Sequence, residues 1–438
     1  MSSLTAETKQ LTNLLEGVNC RIAGDIKKTE ITGLSSDSRK VQPGNLFAAI
    51  CGLSVDGHNY LGQAVASGCS AVLVNKDWQD FSTETEIRLR VPLVEVDDTK
   101  IAMGNIAATF YGHPDRELTV IGITGTNGKT TTSYLVEAFL KACGKNPGVI
   151  GTVNYRYSDK NDTLIEMEAP FTTPESPALF ALLRKMADEG ITDVVMEVSS
   201  HALAQARLTG MEFDIAVFTN LSRDHLDFHS NMDHYFSSKK LLFTDYLKPD
   251  GQVVIMLDET PSSSGDNLSS CEGENDWGSK MSEELRALYH AREDSPSIIT
   301  CGLNSANDLH TTNFNIDING IKTEIFSPSG NLHLATPLVG EFNLRNILCT
   351  IGIGIAHNDD LGCIQKGIES VKTIPGRLER ISLAETFEKN NPAVFVDYAH
   401  TPDALENVLG ALRKFNPKRV ICIFGCGGDR DLGKRVFM

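Results

Sequence analysis

The chain has 438 residues, more than one hydrophobic core usually organises, so two or three domains are expected. Apolar residues at 41% and charged residues at 22%, with no long biased tract, exclude a fibrous or disordered protein. An excess of 57 acidic over 40 basic side chains gives a formal charge of −17, which repels a phosphate backbone and excludes a general nucleic-acid binder.

In chain order, the opening MSSLTAETKQ lacks the basic and then apolar pattern of a signal peptide. No apolar run approaches the roughly 20 residues of a spanning helix, so a cytoplasmic protein is expected. The first hundred or so residues carry short strand candidates (LFAAI, AVLVN, LVEVD) and a turn-rich stretch, GLSSDSRKVQPG. They are read as a separate small α/β domain over residues 1–112. From Leu118 onward β-branched runs alternate with helical patterns: LTVIGIT, ITDVVMEV, FDIAVFT, GQVVIML, SIITCGL, PAVFVDY and RVICIFG. That alternation predicts βαβ units and mainly parallel sheet.

The polar segment from Glu259 to Gly278 reads as a surface insertion without chemistry. TIPG, Thr373 to Gly376, interrupts the pattern and divides a central domain over 113–374 from a last one over 375–438. The ten cysteines show no paired close spacing of a zinc site or disulfide scaffold and are expected as free thiols. The closest pair is Cys422 and Cys426.

The chemically suggestive clusters GTNGKTT, SSHAL, NLSRDHLDFH, AHTPDAL and GCGGDRD each follow the carboxyl end of one such run. Open α/β sheets bind ligands at that edge. LTVIGITGTNGKTTTSYLVEAFL reads strand, glycine loop, helix, which is the setting a phosphate-binding loop requires. Gly125, Thr126, Asn127 and Gly128 would turn backbone N–H groups onto phosphate oxygens, followed by Thr131 in the first helical turn. Lys129 would bridge the outer phosphates, and Thr130 would offer its hydroxyl to Mg²⁺. The spacing departs from G-x-x-x-x-G-K-S/T, because position 123 is Ile and Gly122 lies one residue too far. A guanine-reading N-K-x-D is missing, the N-K-D at Asn75 lying upstream and being followed by Trp78, so ATP is the expected nucleotide.

Glu197 ends the run VVMEV, where a carboxylate is costly unless it meets a cation. A Mg²⁺ on Thr130 would supply one. The next cluster gathers Asp224, His225, Asp227, His229, Asp233 and His234. Magnesium prefers oxygen, so the histidines leave zinc or a structural role open.

GTNGKTTT, TTPESPAL, MEVSSHALAQARL, TNLSRDHLDFH, FNLRNIL, PGRLER and DYAHTPDALENVL resemble the Mur ligases of peptidoglycan synthesis. GLSSDSRKVQPGNLF and DGHNY are similar to that family's uridine-nucleotide domain, so the resemblance covers nearly the whole chain. It implies a three-domain α/β architecture: a central P-loop ATPase domain of mainly parallel sheet, a small N-terminal α/β domain and an incomplete Rossmann-like C-terminal domain. It further implies a monomeric, ATP- and Mg²⁺-dependent amide ligase that adds the third residue of the stem peptide to UDP-N-acetylmuramoyl-L-alanyl-D-glutamate. ATP would first convert a carboxylate into an acyl phosphate, which the incoming amine then attacks.

By that resemblance Lys129, Glu197, His225 and Lys239 are the catalytic residues. Thr130 and Glu197 would hold a first Mg²⁺, His225 and a carbamylated Lys239 a second, with Lys240 the neighbouring alternative to Lys239. Asn343, Asn346, Arg377 and Asp397 would surround ATP, with His400 in the same motif. Ser36, Asp37, Ser38, His58, Thr172, Thr173, Ser199, Gln205 and Arg207 would bind the UDP-muramoyl peptide. Arg430 would grip the incoming amino acid's carboxylate.

Folylpolyglutamate synthase and the other Mur ligases share the GTNGKT loop, but DSRKVQPGNLF argues against the folate enzyme. A nucleotide-binding protein without ligase activity is the alternative from another class. The segment from Gly376 to Met438 is shorter than the roughly 100 to 150 residues of a typical domain, and no acidic Asn-Pro-Arg motif follows it. The chain is therefore expected to bind ATP and UDP-muramoyl dipeptide and to ligate slowly or not at all.

Overall fold

The computed structural model describes residues 8–52, 55–78, 87, 90–257, 276–290, 295–381, 392–400 and 402–425. It forms two compact units: Met1–Leu118 with Thr173–Glu189 and Ala202–Glu212, and Thr119–Thr172 with Gly190–His201 and Phe213–Met438.

The first unit contains β1 (Lys9–Gln10), β2 (Cys20–Ala23), β3 (Glu30–Ile31), β4 (Gly33–Ser35), β5 (Asn45–Ala48), β6 (Ala71–Asn75) and β7 (Leu93–Val96). Its main sheet has the order β2-β7-β6-β5-β4, parallel except where β2 meets β7. The runs LFA and AVLV are buried without alternation because both faces are covered, as a parallel sheet demands. Successive side chains go to opposite sides. Leu46, Ala48, Ala71 and Leu73 join one cluster with Ile106 and Phe110 of the helix Thr99–Phe110. Phe47, Val72 and Val74 join the other with Leu61 and Ala64 of the helix Leu61–Ala66. The helix Ser176–Asp188 packs on Thr99–Phe110.

The second unit is built on β8 (Thr119–Thr124), β9 (Pro147–Ile150), β10 (Asn154–Ser158), β11 (Leu164–Glu168), β12 (Asp193–Glu197), β13 (Phe213–Phe218), β14 (Leu247–Met256), β15 (Ser297–Gly302), β16 (Leu309–Asp317), β17 (Gly320–Ser327) and β18 (Gly330–Thr336). They form one sheet of order β11-β10-β9-β12-β8-β13-β14-β15-β16-β17-β18. From β9 to β16 every pairing is parallel, and antiparallel hairpins close both ends. The mainly parallel sheet that the alternating runs predict is therefore present.

The helices Lys129–Ala142, Glu341–Ala356 and Leu361–Ser370 share one core with this sheet, in which Ile121, Val136, Phe139, Val195, Leu344, Ile347 and Ile364 are fully buried. Each such Leu, Ile or Phe contributes about 2 kcal/mol by leaving water. The strands β19 (Glu379–Ile381) and β20 (Val394–Val396) pair beyond it, followed by the helix Pro402–Arg413.

Three expectations change. Cys143 and Cys363 form a disulfide rather than remaining free, because packing of the helix Leu361–Ser370 on Lys129–Ala142 brings their Cα atoms within 5.2 Å. RVICIFG supplies no strand over its described residues: without a paired neighbour Ile423 stays 96% exposed. The polar insertion ends earlier than its composition suggests, since Asp276 caps a helix Trp277–Tyr289 that already includes Gly278; residues 258–275 lie outside the described residues. So do Cys426 and Arg430. Among the described residues no helix is long and apolar enough to cross a membrane.

Candidate active site

β8 delivers the loop Gly125 to Gly128 at its carboxyl end. Gly125 has φ +147° and a side chain there would collide with the Thr219 hydroxyl; Gly128 has φ +87° and would collide with Asn346. Both positions therefore require glycine. The loop is tied to the segment after β13: the Thr126 N–H donates to the Asn220 carbonyl (3.0 Å), the Asn127 N–H to Asn220 Oδ1 (2.9 Å), and the Thr219 hydroxyl to the Asn127 carbonyl (2.6 Å). The helix starting at Lys129 then points its positive end and unpaired first-turn N–H groups at the same place, with Thr131 buried in that turn.

Three cations converge on this loop. Lys129 Nζ donates to the carbonyls of Gly125 (2.7 Å) and Thr126 (2.9 Å), Lys239 Nζ to the Gly125 carbonyl (2.9 Å), and Arg377 Nη2 to the Thr130 hydroxyl (3.0 Å). Lys239 is 1% exposed and lies 4.5 Å from the centre of the Tyr235 ring. Burial pulls the pKa of both lysines down, and Lys129 lowers Lys239 further by repulsion.

Facing them, Glu197 is 1% exposed. Its Oε2 accepts from the Thr130 hydroxyl (3.1 Å) and the Thr152 hydroxyl (2.9 Å), and its Oε1 from the Thr152 N–H (3.1 Å). A carboxylate and a hydroxyl side by side at a phosphate loop are the hard oxygen donors that suit Mg²⁺, which keeps water in its remaining positions. Among the described residues no group of three or more His, Cys, Asp or Glu is arranged to hold a metal.

The remaining residues of this unit divide by what they already hold. Asn343 Nδ2 donates to the Val339 carbonyl (2.8 Å), and Asn346 Nδ2 to Asn343 Oδ1 (3.3 Å), so the pair runs along the helix beneath Gly128. Asp397 accepts from the N–H groups of Leu378 (2.7 Å) and Ala399 (2.8 Å), which fixes the turn carrying Arg377. His400 Nδ1 lies 2.9 Å from the Tyr398 carbonyl.

His225, at φ +54°, has Nε2 3.4 Å from Asp224 and a pKa lowered by burial. Its ring is grouped with His201, whose centroid is 4.9 Å away. His229 is fully buried on the Ser200 hydroxyl (2.9 Å), its pKa held down to about 4 by desolvation and neighbouring cations. Thr172 pairs with Thr152 (3.1 Å), and Ser199 follows β12.

In the first unit Arg207 is oriented by protein oxygens: Nε and Nη2 donate to Gln205 Oε1 (3.1 and 2.7 Å), and Nη1 to the Thr173 carbonyl (3.2 Å). Arg207 and Gln205 line a cavity of about 250 Å³ with Lys100, Met103 and Glu175. The Ser36 hydroxyl donates to Glu175 (3.1 Å) and Ser38 to Gln63 (3.0 Å). Asp37 caps a short helical turn, and its hydrogen-bonded Arg39 lowers its pKa to about 2. His58 has both ring nitrogens engaged, Nδ1 with Asp56 (2.6 Å) and Nε2 with the Asn75 N–H (3.1 Å). Sequence reading missed Thr152, a threonine in an unremarkable GTVN, and Lys100, whose position gives no chemical signal.

Residues 123–354 match the Mur ligase middle domain, residues 30–111 the Mur ligase family catalytic domain and residues 376–438 the Mur ligase glutamate ligase domain. The chain is 40% identical over 434 residues to the UDP-N-acetylmuramoyl-L-alanyl-D-glutamate--2,6-diaminopimelate ligase of Geobacter metallireducens, covering 98% of this chain and 77% of that one. It is 37% identical to the ligase of that name from Bacillus licheniformis, covering 93% and 76%. A solved structure titled as such a ligase superposes with a TM-score of 0.72 at 28% identity, over 97% of this chain and 79% of that one.

A phosphate loop on a mainly parallel sheet, within three matched domains, defines an ATP-dependent acid–amino-acid ligase, and the chain belongs to the Mur ligase family. It adds the third amino acid to UDP-N-acetylmuramoyl-L-alanyl-D-glutamate in peptidoglycan biosynthesis.

Proposed function

We propose that the amino acid added is 2,6-diaminopimelate, and that the ionisable groups gathered at Gly125 to Thr130 carry the chemistry. The name of the relatives at 40% and 37% identity supports the first point. The convergence of Lys129, Lys239, Arg377 and Glu197 on one loop carries the second.

In this reading an oxygen of the D-glutamate side-chain carboxylate attacks the γ-phosphorus of ATP, and ADP leaves. The amine of diaminopimelate then attacks the acyl carbon, loses a proton, and expels phosphate. Phosphoryl transfer of this kind depends on positioning and on neutralising charge. Lys129 exchanges the Gly125 and Thr126 carbonyls for phosphate oxygens, and Arg377 adds a second positive charge beside Thr130. The loop N–H groups and Gly125, Thr126, Asn127, Gly128 and Thr131 shape the phosphate cradle. Asn343 and Asn346 support it from below, and Asp397 sets the turn that places Arg377.

Thr130 and Glu197 would hold Mg²⁺, which supplies charge neutralisation at the phosphates when bound. His225 and a carbamylated Lys239 would hold the second metal: the neutral amine that burial favours at Lys239 is the form that adds CO₂, losing a proton to become an oxygen-rich anion. Arg207 and Gln205, with Thr173, Ser36, Asp37, Ser38 and His58, are proposed contacts of the UDP-muramoyl peptide in the first unit, and Thr172 and Ser199 in the second. Arg430 is proposed to hold the diaminopimelate carboxylate. The protein is proposed to act as a cytoplasmic monomer.

Phosphate release measured with ATP, Mg²⁺ and UDP-N-acetylmuramoyl-L-alanyl-D-glutamate tests this reading. Release is expected to require diaminopimelate and to fall at least about tenfold with L-lysine, a discrimination of roughly 1.4 kcal/mol. Equal rates with lysine would overturn the acceptor, and release indifferent to the muramoyl peptide would overturn the rest.

A further inference from the structure

Thr152 lies in the short turn after β9, outside every motif that marks the site. Its backbone N–H and its hydroxyl both reach the same carboxylate, Glu197, at 3.1 and 2.9 Å. Its oxygen also lies 3.1 Å from the Thr172 hydroxyl. Five side chains thus form one line: Arg377 donates to Thr130, Thr130 donates to Glu197, Thr152 donates to Glu197, and Thr172 meets Thr152.

A hydroxyl has one proton to donate and two lone pairs to accept with. A carboxylate only accepts, so the Thr152 proton goes to Glu197. The Thr152–Thr172 bond then has a single possible direction, from the Thr172 hydroxyl to the Thr152 oxygen. With its proton so placed, Thr172 can offer a ligand only a lone pair. Charge assistance from Glu197 strengthens the bonds of this line and holds that direction.

We propose that Thr152 is a positioning residue that sets the polarity of Thr172, so that Thr172 recognises an amide N–H of the muramoyl peptide and not its carboxylates. This rests on the reading of Thr172 as a peptide contact. It assigns complementary tasks: arginine takes the anionic groups of the substrate, and a polarised threonine takes a neutral donor.

Calorimetric titration of the full chain with UDP-N-acetylmuramoyl-L-alanyl-D-glutamate tests it. Thr152→Val keeps the shape and removes the hydroxyl; it is expected to weaken binding about tenfold, the worth of one charge-assisted hydrogen bond. Thr152→Ser restores the hydroxyl and is expected to bind within about twofold of wild type. Thr172→Val is expected to weaken binding about as much as Thr152→Val, and the double variant no more than Thr172→Val alone. Should Thr152→Val fail to fold, Thr152→Ala carries the same test.

Binding by Thr152→Val equal to wild type would overturn the proposal, as would a serine variant as weak as the valine one, or losses that multiply in the double variant. Methylating the dipeptide's amide nitrogens one at a time tests the polarity. One analogue is expected to bind wild type about tenfold more weakly than the parent and to lose nothing extra on Thr172→Val. Analogues that lose equal factors on both proteins would overturn it. If wild type does not bind the dipeptide at all, the functional reading falls and this inference with it, an outcome distinct from binding that ignores Thr152.

Discussion

The phosphate loop and the Arg207 cavity handle positive charge in opposite ways. At the loop, Lys129 and Lys239 are both turned inward onto the Gly125 carbonyl, and Arg377 rests on Thr130, so every cation is engaged by the protein itself. In the first unit the Arg207 guanidinium is held by Gln205 through Nε and Nη2 and by the Thr173 carbonyl through Nη1, and lines a cavity of about 250 Å³. Buried charge must be paired or lose its proton, whereas a half-buried guanidinium is never deprotonated and needs only to be aimed. A ligand at the loop therefore replaces contacts of buried cations, and a ligand at the cavity meets a guanidinium already oriented by Gln205 and Thr173. Substitutions at the loop side should affect turnover or folding, and those at the cavity should affect affinity.

The largest effect is expected at Lys129. Lys129→Met removes the cation aimed at the developing phosphate charge, and kcat is expected to fall by about a thousandfold, the scale of a lost transition-state donor. Amide formation followed by chromatography, with circular dichroism to confirm the fold, checks it. A loss confined to the KM for ATP would break the comparison, because it would make the lysine a simple binding contact.

Next comes the framework behind the loop. His357 caps the helix that carries Asn343 and Asn346, and its two ring nitrogens sit 2.8 Å from Asp193, at the start of β12, and 2.8 Å from Asp359. These hydrogen bonds raise its pKa from 6.5 to about 9. The cation thus stabilises the fold fully below pH 6.5, and the contribution is lost as pH rises through about 9. Urea unfolding at pH 6 and at pH 9.5 is expected to differ by about 2 kcal/mol for wild type, and His357→Gln should flatten that component. An unchanged profile in the variant would remove His357 from the framework.

Arg207→Lys is expected to act on affinity alone. A lysine keeps the charge but cannot hold Gln205 through two nitrogens, so KM for the UDP-muramoyl dipeptide should rise about tenfold with kcat and the KM for ATP unchanged. Steady-state kinetics with each substrate varied in turn measures this. A matching fall in kcat would show that the cavity shares the loop's role.

These contrasts also explain what the sequence could reveal. The strand, glycine loop and helix from Leu118 onward are legible because glycine at positive φ, a following GKT and an amphipathic helix leave local marks. The antiparallel hairpins β10/β11 and β16/β17/β18 leave a weaker mark, an alternation of period two without an apolar run, with Asn319-Gly320 as the one turn signal between β16 and β17. Thr152 and the Asp193–His357–Asp359 group could not be read at all. Their chemistry arises from residues 45 and 164 positions apart in the chain meeting in space, and an isolated Thr or His carries no trace of that.

The smallest effect separates two adjacent lysines that the sequence alone leaves interchangeable. Lys240 is half-buried and pairs with Glu284 at 2.7 Å, with about a third of each side chain in water. Lys239, one residue earlier in the helix Met232–Thr244, turns about 100° away from it and is buried against the Gly125 carbonyl. An exposed pair of the first kind contributes about 0.5 kcal/mol or less. Lys240→Ala is therefore expected to shift urea stability by no more than that and to leave ligation and its Mg²⁺ dependence unaltered. Intact-mass analysis under bicarbonate should find the 239 side chain, not the 240 one, as the carrier of added CO₂. If Lys240→Ala instead abolished turnover, the reactive amine would be the exposed one, and burial would not be what makes a lysine at this loop unusual.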